Sequence, residues 1–522
     1  MLNFLSSLRL RDSETDKRRK DGDLNYDRRS PIESDFGRVV FSSACRRLHD
    51  KTQVFPLTTN DNIHSRLTHS MEVMSLGKSF ALNLCPRKED SDFYKMFRDS
   101  NDDYFSFYRK IESLLSTVCL AHDIGNPPFG HFGETVIQNY FKSLIGSIKA
   151  DIARNANNYN QYSCKILKDI FQEVDNRKAR DKEAIKESIF KGISGFFNSN
   201  KVNDYTQFDG NAQGLRVLMR TQFLNDLNGL NLTYATLASF IKYPNANPAD
   251  KNAETIGNHK HGIFHTELDD IRKVYSECFC HSFDENTTCF KRHPFAFLME
   301  ASDSICYLIM DMEDAVSKGW INYSMIRKLM YTNEKGKEII DRAEKHFAAN
   351  APSKKKVVQF RVELMGYLVN LACSNFKNNL QEIVNGEYNK ELIFDDKYNV
   401  ANMLQKESVK NIYSNPEIES LELTGDAVLR GIMDYYVRFL FSPEKSYRLH
   451  AKDLISKAIF ETTLQERLKW LGDSRDAWDV YDNFDPCNFT MEERFRIIRD
   501  FVSGMTDKFA LTHYRKLSGQ QI

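Results

Sequence analysis

An adjacent histidine–aspartate pair, His122-Asp123, ends the apolar segment IESLLSTVCLAHD. Charged groups in such a segment are costly to bury unless they are paired or bound to a metal. Two further candidate ligands are His69, in RLTHSMEV, and Asp303, in MEASDSICYL. Two neutral imidazoles and two carboxylates balance the charge of one divalent cation, so the four residues form a candidate metal site.

The candidate site has mixed nitrogen and oxygen ligands. Such a set suits Mn, Fe, Co, Ni or Mg better than a closed structural zinc site. Four protein ligands also leave open positions on an octahedral ion, which water and a phosphate oxygen can occupy. A single histidine beside an apolar face is more often a hydrogen-bonded core or capping residue. The metal interpretation therefore depends on all four residues together.

A stretch rich in glycine and proline, 125–130, follows the pair and predicts a turn. His131 lies nine residues after His122, so this turn can bring its imidazole back over the metal. Glu134, three residues later on the next predicted helix, could orient or tune that imidazole. By its chemistry His131 could donate a proton to a leaving group or help to position the attacking group. The alternative is that His131 caps a helix.

Asp303, Tyr307 and Asp311 are spaced i, i+4, i+8 and share one face of a predicted helix over 294–318. One face can therefore supply a metal ligand, an aromatic wall and a hydrogen-bond acceptor. The spacing alone is equally compatible with core packing of Tyr307. Arg66 lies three residues before His69 and therefore on the same helical face.

A second group of metal-ligand residue types lies at Cys278, Cys280 and His281, with Cys289 and His293 nearby. These residues could suggest zinc. Their spacing fits no common zinc finger, so chance clustering is the favoured interpretation, with a structural role for His293.

The elements that must position these residues are predicted to be helical. Glycine (23) and proline (12) are scarce among the 522 residues, against average usage of roughly 7% and 5%. Apolar periodicity, turn signals and prolines predict the helix bounds. Helices are predicted over 38–58 (ending before Pro56), 64–85, 111–123, from about 132, 230–243 and 294–318. The predicted fold class is all-α.

Composition excludes several classes of protein. A hydrophobic share of 41% is too high for a disordered chain, and 72 basic residues cancel 72 acidic ones, which argues against non-specific nucleic-acid binding by the whole surface. The sequence contains no run of about 18 apolar residues, so no membrane span is predicted. The N-terminus lacks the apolar core of a secretory signal, and ten scattered cysteines indicate reduced thiols. The sequence predicts a cytoplasmic protein without a membrane partner.

The pattern H…HD…D is the signature of the HD superfamily of metal-dependent phosphohydrolases. Its flanking segments resemble, more specifically, the bacterial deoxyguanosine triphosphate triphosphohydrolases. The matching segments run in order from about residue 25 to 515: RRLHDKTQVFPL, SRLTHSMEV, AHDIGNPPFGHFGE, FDGNAQGLRVL, LNLTYATLASFIKYP, RHPFAFLMEASDSICYLIMDMEDAV and SGMTDKFAL. The resemblance implies an all-α fold and the cleavage of a deoxynucleoside triphosphate into a deoxynucleoside and inorganic triphosphate.

The resemblance also implies roles for single residues. His131 acts as acid or base next to the scissile bond, with Glu134 as the residue that tunes it. Tyr307 packs against the deoxyribose and leaves no room for a 2′-hydroxyl, and Asp311 accepts from the 3′-hydroxyl. Gln53 matches a glutamine that contacts the same edge of the sugar.

A triphosphate carries about four negative charges and needs cationic partners beyond one metal ion. The residues implied to bind its phosphates are Arg66, Asn211, Lys242 and Tyr243, with Lys260 as a further candidate. The segment KHGIFHTELD, which contains Lys260, departs from the family pattern KFGxFxSE. Guanine contacts come partly from the C-terminal region, where Glu422 and Arg448 are the candidates. The implied substrate is dGTP alone or several deoxynucleotides.

The resemblance implies a homo-oligomer, often a hexamer, and in some members a single-stranded DNA partner that modulates activity. The implied cofactor is one divalent metal ion, Mn²⁺ or Mg²⁺ foremost, with Fe, Co or Ni as alternatives.

The predicted organisation is a polar N-terminal arm over 1–24, an HD core over 25–350 with a helical insertion at about 140–205, and a helical region over 351–522. This last region is expected to contribute to the nucleotide pocket and to oligomer contacts.

Two other functions are compatible with the sequence. One is a different HD nucleotidase or phosphodiesterase, which would release monophosphate or orthophosphate. The other is a non-catalytic protein that binds nucleotides or single-stranded DNA, against which the intact ligand set argues.

Overall fold

The structure is a computed structural model that describes residues 2–11, 29–55, 57, 63–85, 91–98, 102–155, 161–179, 181–222 and 228–520. Regular structure in these residues is helical, with three isolated β-bridges and no strand. The all-α prediction is confirmed. None of the described helices is both long enough and apolar enough to cross a membrane.

The helices are numbered here in chain order. Those before residue 281 are α1 (Pro31–Val40), α2 (Ser43–Arg47), α3 (Arg66–Leu84), α4 (Asp92–Phe97), α5 (Tyr104–Ala121), α6 (Gly130–Arg154), α7 (Lys165–Asn176), α8 (Lys182–Asn198), α9 (Asn203–Thr206), α10 (Gly210–Arg216), α11 (Tyr234–Phe240) and α12 (Leu268–Phe279).

The helices that follow are α13 (Pro294–Ser317), α14 (Tyr323–Met330), α15 (Glu334–Ala343), α16 (Ser353–Asn378), α17 (Leu380–Asn385), α18 (Val400–Ser408), α19 (Pro416–Leu440), α20 (Lys445–Leu454), α21 (Lys457–Trp470), α22 (Ala477–Tyr481), α23 (Met491–Ser503) and α24 (Asp507–Leu517). Short 3₁₀ or π-helical turns are Leu48–Asp50, Asn200–Val202, Val217–Thr221, Ile256–Asn258, Glu344–His346, Val409–Tyr413 and Pro486–Asn488.

Two predicted helices differ from the structure where a hydroxyl side chain caps a helix. The predicted helix over 38–58 is wrong, because α1 ends at Val40 and Ser42 starts α2 by accepting a hydrogen bond from the amide of Cys45. The predicted helix over 230–243 is shorter than expected, since α11 begins only after a threonine cap. The helices expected to carry the metal ligands are confirmed as α3, α5 and α13.

Two hydrophobic cores organise the described residues. One combines residues 4–124 with residues 215–418, and the other combines mainly residues 129–212 with residues 428–510. The chain passes from the first core to the second at 124–129, directly after His122-Asp123. The candidate site therefore lies at the junction of the two cores.

The predicted N-terminal arm begins inside the first core, where Phe4 and Leu5 are buried. Its residues 12–24 lie outside the described part of the chain. The predicted insertion at about 140–205 corresponds to the end of α6, to α7 and α8, and to the start of α9. The predicted domain boundaries stay predictions.

A small residue lets two site helices approach closely. A Cβ atom on Gly77 of α3 would lie 2.7 Å from the sulfur of Cys119 on α5. No larger residue fits there without displacing α5. The close packing brings the imidazoles of His69 and His122 to a centroid distance of 5.3 Å.

A fully buried arginine connects α10 to the C-terminal helices. Arg216 lies 2.6 Å from a carboxylate oxygen of Asp500, 2.7 Å from one of Glu267 and 3.3 Å from one of Glu466. Because buried charges require partners, these pairs hold α10, and with it Gly210 and Asn211, against α21 and α23.

Candidate active site

The four predicted ligands converge between α3, α5 and α13. His69 lies in the first turn of α3, His122 and Asp123 follow α5, and Asp303 lies within α13. Nε2 of His69 is 3.2 Å from Oδ1 of Asp303, and Nε2 of His122 is 3.4 Å from the same oxygen. The distance from His122 Nε2 to Oδ2 of Asp123 is 3.6 Å. The ligand atoms of His69, His122 and Asp123 all lie within 4.8 Å of one another, and Asp303 lies beside both histidines, so the four side chains form a candidate site for one ion.

The electrostatics of the site fit a cation. Nδ1 of His122 donates to the carbonyl of Cys119 at 2.7 Å, which leaves Nε2, without a hydrogen-bond partner among the described residues, to carry either a proton or a metal ion. Burial lowers the pKa of His122, but Asp123 and Asp303 outweigh that effect and raise it to about 9. A divalent metal ion that takes the place of the Nε2 proton would be bound by this nitrogen together with the two carboxylates.

Arg66 lies directly beside this cluster. Its Nη1 is 2.6 Å from Oδ2 of Asp123, and its side chain is buried. Burial raises the pKa of Asp123, but Arg66 and His122 together lower it to about 2, which keeps the carboxylate ionised. Gly130 has a φ of +59°, which side chains rarely adopt, and a Cβ there would lie 2.8 Å from the Arg66 guanidinium, so this turn favours glycine.

His131 and Glu134 form a pair in the first turns of α6. Nδ1 of His131 is 3.0 Å from Oε2 of Glu134, and Oε1 of Glu134 accepts from the amide of Gly210 at 2.8 Å. The His131 side chain is 75% exposed, whereas Glu134 is buried. α6 begins without a side-chain cap, so His131 does not cap it. An exposed imidazole held by a buried carboxylate can exchange protons with a bound molecule.

The predicted phosphate-binding residues form a polar wall near the cluster. Nζ of Lys242 is 3.8 Å from Oδ2 of Asp303, and Nζ of Lys260 is 3.0 Å from Oδ2 of Asp209. Both lysines lie within 6 Å of the Tyr243 ring centre, at 5.6 and 5.7 Å. Asn211 donates to the other oxygen of Asp209 at 2.7 Å. Burial alone would lower the pKa of Lys260, but Asp209 and Glu134 raise it, so the ammonium stays charged.

Tyr307 and Asp311 extend the face of α13 that carries Asp303. Nε2 of Gln405 donates to the Tyr307 hydroxyl at 3.1 Å, and the Tyr413 hydroxyl donates to Asp311. Burial raises the pKa of Asp311 to about 7. Sequence reasoning missed Gln405 and Tyr413, because no motif marks them in their polar segments.

Gln53 lies on the segment that precedes α3. Its Oε1 is buried and has no hydrogen-bond partner among the described residues, so it is available to a ligand. Asp507 supports this segment by accepting from the amides of Thr52 at 3.0 Å and Phe129 at 2.9 Å. Sequence reasoning also missed Asp507, although it lies in SGMTDKFAL, one of the matching motifs.

The two predicted base contacts lie in different surroundings. Gly425, on the same helix as Glu422, packs against Phe129 of the site loop. Arg448 is buried and makes a two-point ion pair with Asp485, at 2.7 and 2.8 Å. In this structure the guanidinium of Arg448 is therefore paired with Asp485. Both base contacts stay predictions.

The cysteine-rich segment shows no geometry of a zinc site. Cys278 is buried, Cys280 is exposed, and Cys289 contacts Asn258. Groups with metal-ligand geometry in the described residues contain histidine and aspartate only. His293 is buried between Ser239 and the carbonyl of Phe4, at 3.0 and 3.1 Å, which is a structural role.

His64, near the start of α3, makes stability depend on pH. Its Nδ1 is 2.8 Å from Asp314, and its Nε2 is 3.3 Å from Glu72. Hydrogen bonds to Asp314 and then Glu72 raise the pKa of His64 from about 6.5 to about 10. The stabilisation is therefore complete below about pH 6.5 and is lost as the pH rises through about 10.

We expect His64→Gln to lower the thermal unfolding midpoint at pH 7 and to have little effect near pH 11, as measured by circular dichroism. The exposed His49, changed to Gln, is the control. A midpoint difference that is constant across this pH range would contradict the linkage.

The fold and the site define an all-α protein with an HD-type cluster of two histidines and two aspartates. No family model matches the chain. It is similar to proteins named "Deoxyguanosinetriphosphate triphosphohydrolase" from three bacteria. The identity is 30% over 517 residues for Enterobacter sp. (strain 638), 31% over 520 residues for Yersinia pestis (strain Pestoides F), and 30% over 522 residues for Serratia proteamaculans (strain 568). The matches cover 93%, 93% and 94% of both chains. The chain belongs to the deoxyguanosinetriphosphate triphosphohydrolase family.

Proposed function

We propose that the protein hydrolyses dGTP to deoxyguanosine and inorganic triphosphate. The convergence of His69, His122, Asp123 and Asp303 beside the His131–Glu134 pair carries the proposal. Membership of the family supports the choice of substrate. Water oxygen forms a bond to the α-phosphorus, the bond from phosphorus to the 5′-oxygen breaks, and a proton converts that oxygen to the 5′-hydroxyl of deoxyguanosine.

The four ligands would hold one divalent metal ion, and we propose Mn²⁺ or Mg²⁺, with Fe, Co or Ni as alternatives. When bound, such an ion polarises a phosphate oxygen and lowers the pKa of water. Arg66, Lys242 and Lys260 place positive charge around the triphosphate, and Asn211 and Tyr243 line its path.

In this proposal His131 gives the proton to the leaving 5′-oxygen. Glu134 engages Nδ1, so Nε2 is the nitrogen that exchanges the proton. Burial raises the pKa of Glu134, but Lys260 and His131 lower it to about 2. Glu134 therefore stays ionised and stabilises the protonated imidazole before transfer.

We expect His131→Ala to lower kcat for dGTP by about 10²- to 10⁴-fold, because the leaving oxygen loses its proton donor. Metal content should not change, since His131 is not one of the four ligands. Steady-state assays of the variant beside His49→Ala, which removes another exposed imidazole, check this. Unchanged kcat would assign proton transfer to another group.

We propose that Tyr307, Asp311 and Gln53 bind the deoxyribose. Tyr307→Ala opens space beside the sugar, so we expect kcat/KM for GTP relative to dGTP to rise about 10- to 200-fold. The exposed Tyr447, changed to Ala, is the control. If the ratio does not change, another group excludes the 2′-hydroxyl.

The test of the function is to incubate the protein with Mn²⁺ and each of the four dNTPs separately and to identify every product. Inorganic triphosphate supports the proposal, whereas monophosphate or orthophosphate would indicate another HD nucleotidase or phosphodiesterase. Nucleotide binding without turnover, with and without single-stranded DNA, would indicate a binding protein. The four rates also report base preference, and with it the roles proposed for Glu422 and Arg448.

The remaining expectations from the family resemblance stay predictions. They are a homo-oligomer, a hexamer in many relatives, a single-stranded DNA partner and a cytoplasmic location. Gel filtration coupled to light scattering tests the first of these.

A further inference from the structure

A second cluster of metal-ligand side chains lies outside the candidate active site. It comprises Asp204 on α9 with His261 and His265 in the segment between Ile256–Asn258 and α12. Their ligand atoms all lie within 4.8 Å of one another. Asp204 and His261 are 1% exposed, and the His265 side chain is 11% exposed. The dGTP-cleavage mechanism uses none of the three.

The contacts of His261 require a positive charge in this cluster. Its Nδ1 lies 3.0 Å from the carbonyl of Asn247, and its Nε2 lies 3.1 Å from Oδ1 of Asp204. Both ring nitrogens thus face oxygen atoms that only accept. A neutral imidazole carries one N–H and one lone pair, so one nitrogen would oppose an oxygen lone pair. Either a second proton or a metal ion must lie between His261 and Asp204.

The arrangement matches that of the candidate active-site cluster. There, Nδ1 of His122 donates to the carbonyl of Cys119, while Nε2 faces carboxylates at 3.4 and 3.6 Å. Metal-bound histidines commonly donate their other N–H to a backbone carbonyl in this way. The carbonyl oxygen of Asn247 faces Nδ1 of His261, as the carbonyl oxygen of Cys119 faces Nδ1 of His122.

His265 offers a third candidate ligand atom, Nδ1. Its Nδ1 lies 2.8 Å from Oδ1 of Asp204, and its buried Nε2 has no hydrogen-bond partner among the described residues. On a tetrahedral ion with bonds of about 2.0–2.1 Å, neighbouring ligand atoms lie about 3.3 Å apart. The observed separations of 2.8 and 3.1 Å are close to that spacing.

We propose that Asp204, His261 and His265 bind a second divalent metal ion, of the kind that two nitrogens and one carboxylate oxygen select, represented by Zn²⁺. The ion joins α9 to the segment between Ile256–Asn258 and α12. This segment contains Lys260, so the ion holds this lysine near Asp209. The proposal is independent of the dGTPase activity, because its readout is metal content.

The test measures zinc per chain. The full-length protein is stripped with a chelator, dialysed against Zn²⁺ near neutral pH, freed of excess metal and analysed by mass spectrometry. We expect the wild type to hold one ion more than His265→Gln and one more than Asp204→Asn. His259→Gln is the matched control, since His259 lies in the same segment but contacts the carbonyl of Ala253, and it should retain as many ions as the wild type.

The variant His122→Asn separates the two sites without touching the second one. It should retain one ion, and the double variant His122→Asn/His265→Gln should retain none. A wild-type ion count equal to that of His265→Gln, or no ion in His122→Asn, would overturn the proposal. In that case a second proton supplies the charge, and thermal stability should fall as the pH rises.

Discussion

Changing Asp123 to Asn is expected to lower kcat/KM for dGTP by about 10³-fold or more, which corresponds to about 4 kcal/mol. The substitution keeps the size of the side chain but removes the charge that would hold the metal ion. It also removes the charged partner of Arg66, whose guanidinium lies 2.6 Å from Oδ2 of Asp123. Both effects act at the site where charge develops during attack on phosphorus.

The matched control for this loss is Asp434→Asn, which changes an exposed carboxylate on α19 that accepts a hydrogen bond from the Tyr140 hydroxyl. It should leave kcat/KM unchanged. Circular dichroism should show that both variants fold, and metal analysis should show a loss only in Asp123→Asn. Normal turnover by Asp123→Asn would exclude the four-ligand site as the site of reaction.

Changing Arg216 to Leu is expected to destabilise the fold by about 3–5 kcal/mol. The guanidinium is fully buried, and its removal leaves carboxylates of Asp500, Glu267 and Glu466 without their shared cation. Leucine fills part of the volume but neutralises none of these charges. Because α10 carries Gly210 and Asn211, activity should fall together with stability.

Urea unfolding followed by circular dichroism measures this effect, with thermal midpoints as a second readout. Arg475→Leu is the control, because Arg475 pairs with Asp473 on the surface, where ion pairs contribute little to stability. An Arg216 variant as stable as that control would show that the buried carboxylates are neutralised in another way.

Local motifs and periodicity predicted much of the candidate site. The helices around His69, His122 and Asp303 follow from their apolar patterns, and the structure places these side chains within hydrogen-bonding or metal-binding distance of one another. The predicted helix over 38–58 failed because a single serine hydroxyl can cap a new helix within an apolar pattern.

The residues that support the site could not be predicted. Gln405 and Tyr413 lie 98 and 102 residues from their partners Tyr307 and Asp311. Asp204 meets His261 across 57 residues. No regular spacing connects such positions, because the path of the chain between them varies freely with loops and helix lengths.

The sequence by itself determined the all-α class, the family, and the set of residue types from which a metal site could be built. These follow from helical periodicity and from short motifs, which are local properties of the chain. Only the tertiary structure decided which distant polar groups meet, including the Arg216 network, the support from Asp507 and the second histidine–aspartate cluster. The physical reason is that hydrogen bonds and ion pairs form only within about 3–4 Å, and a one-dimensional pattern contains no such distances.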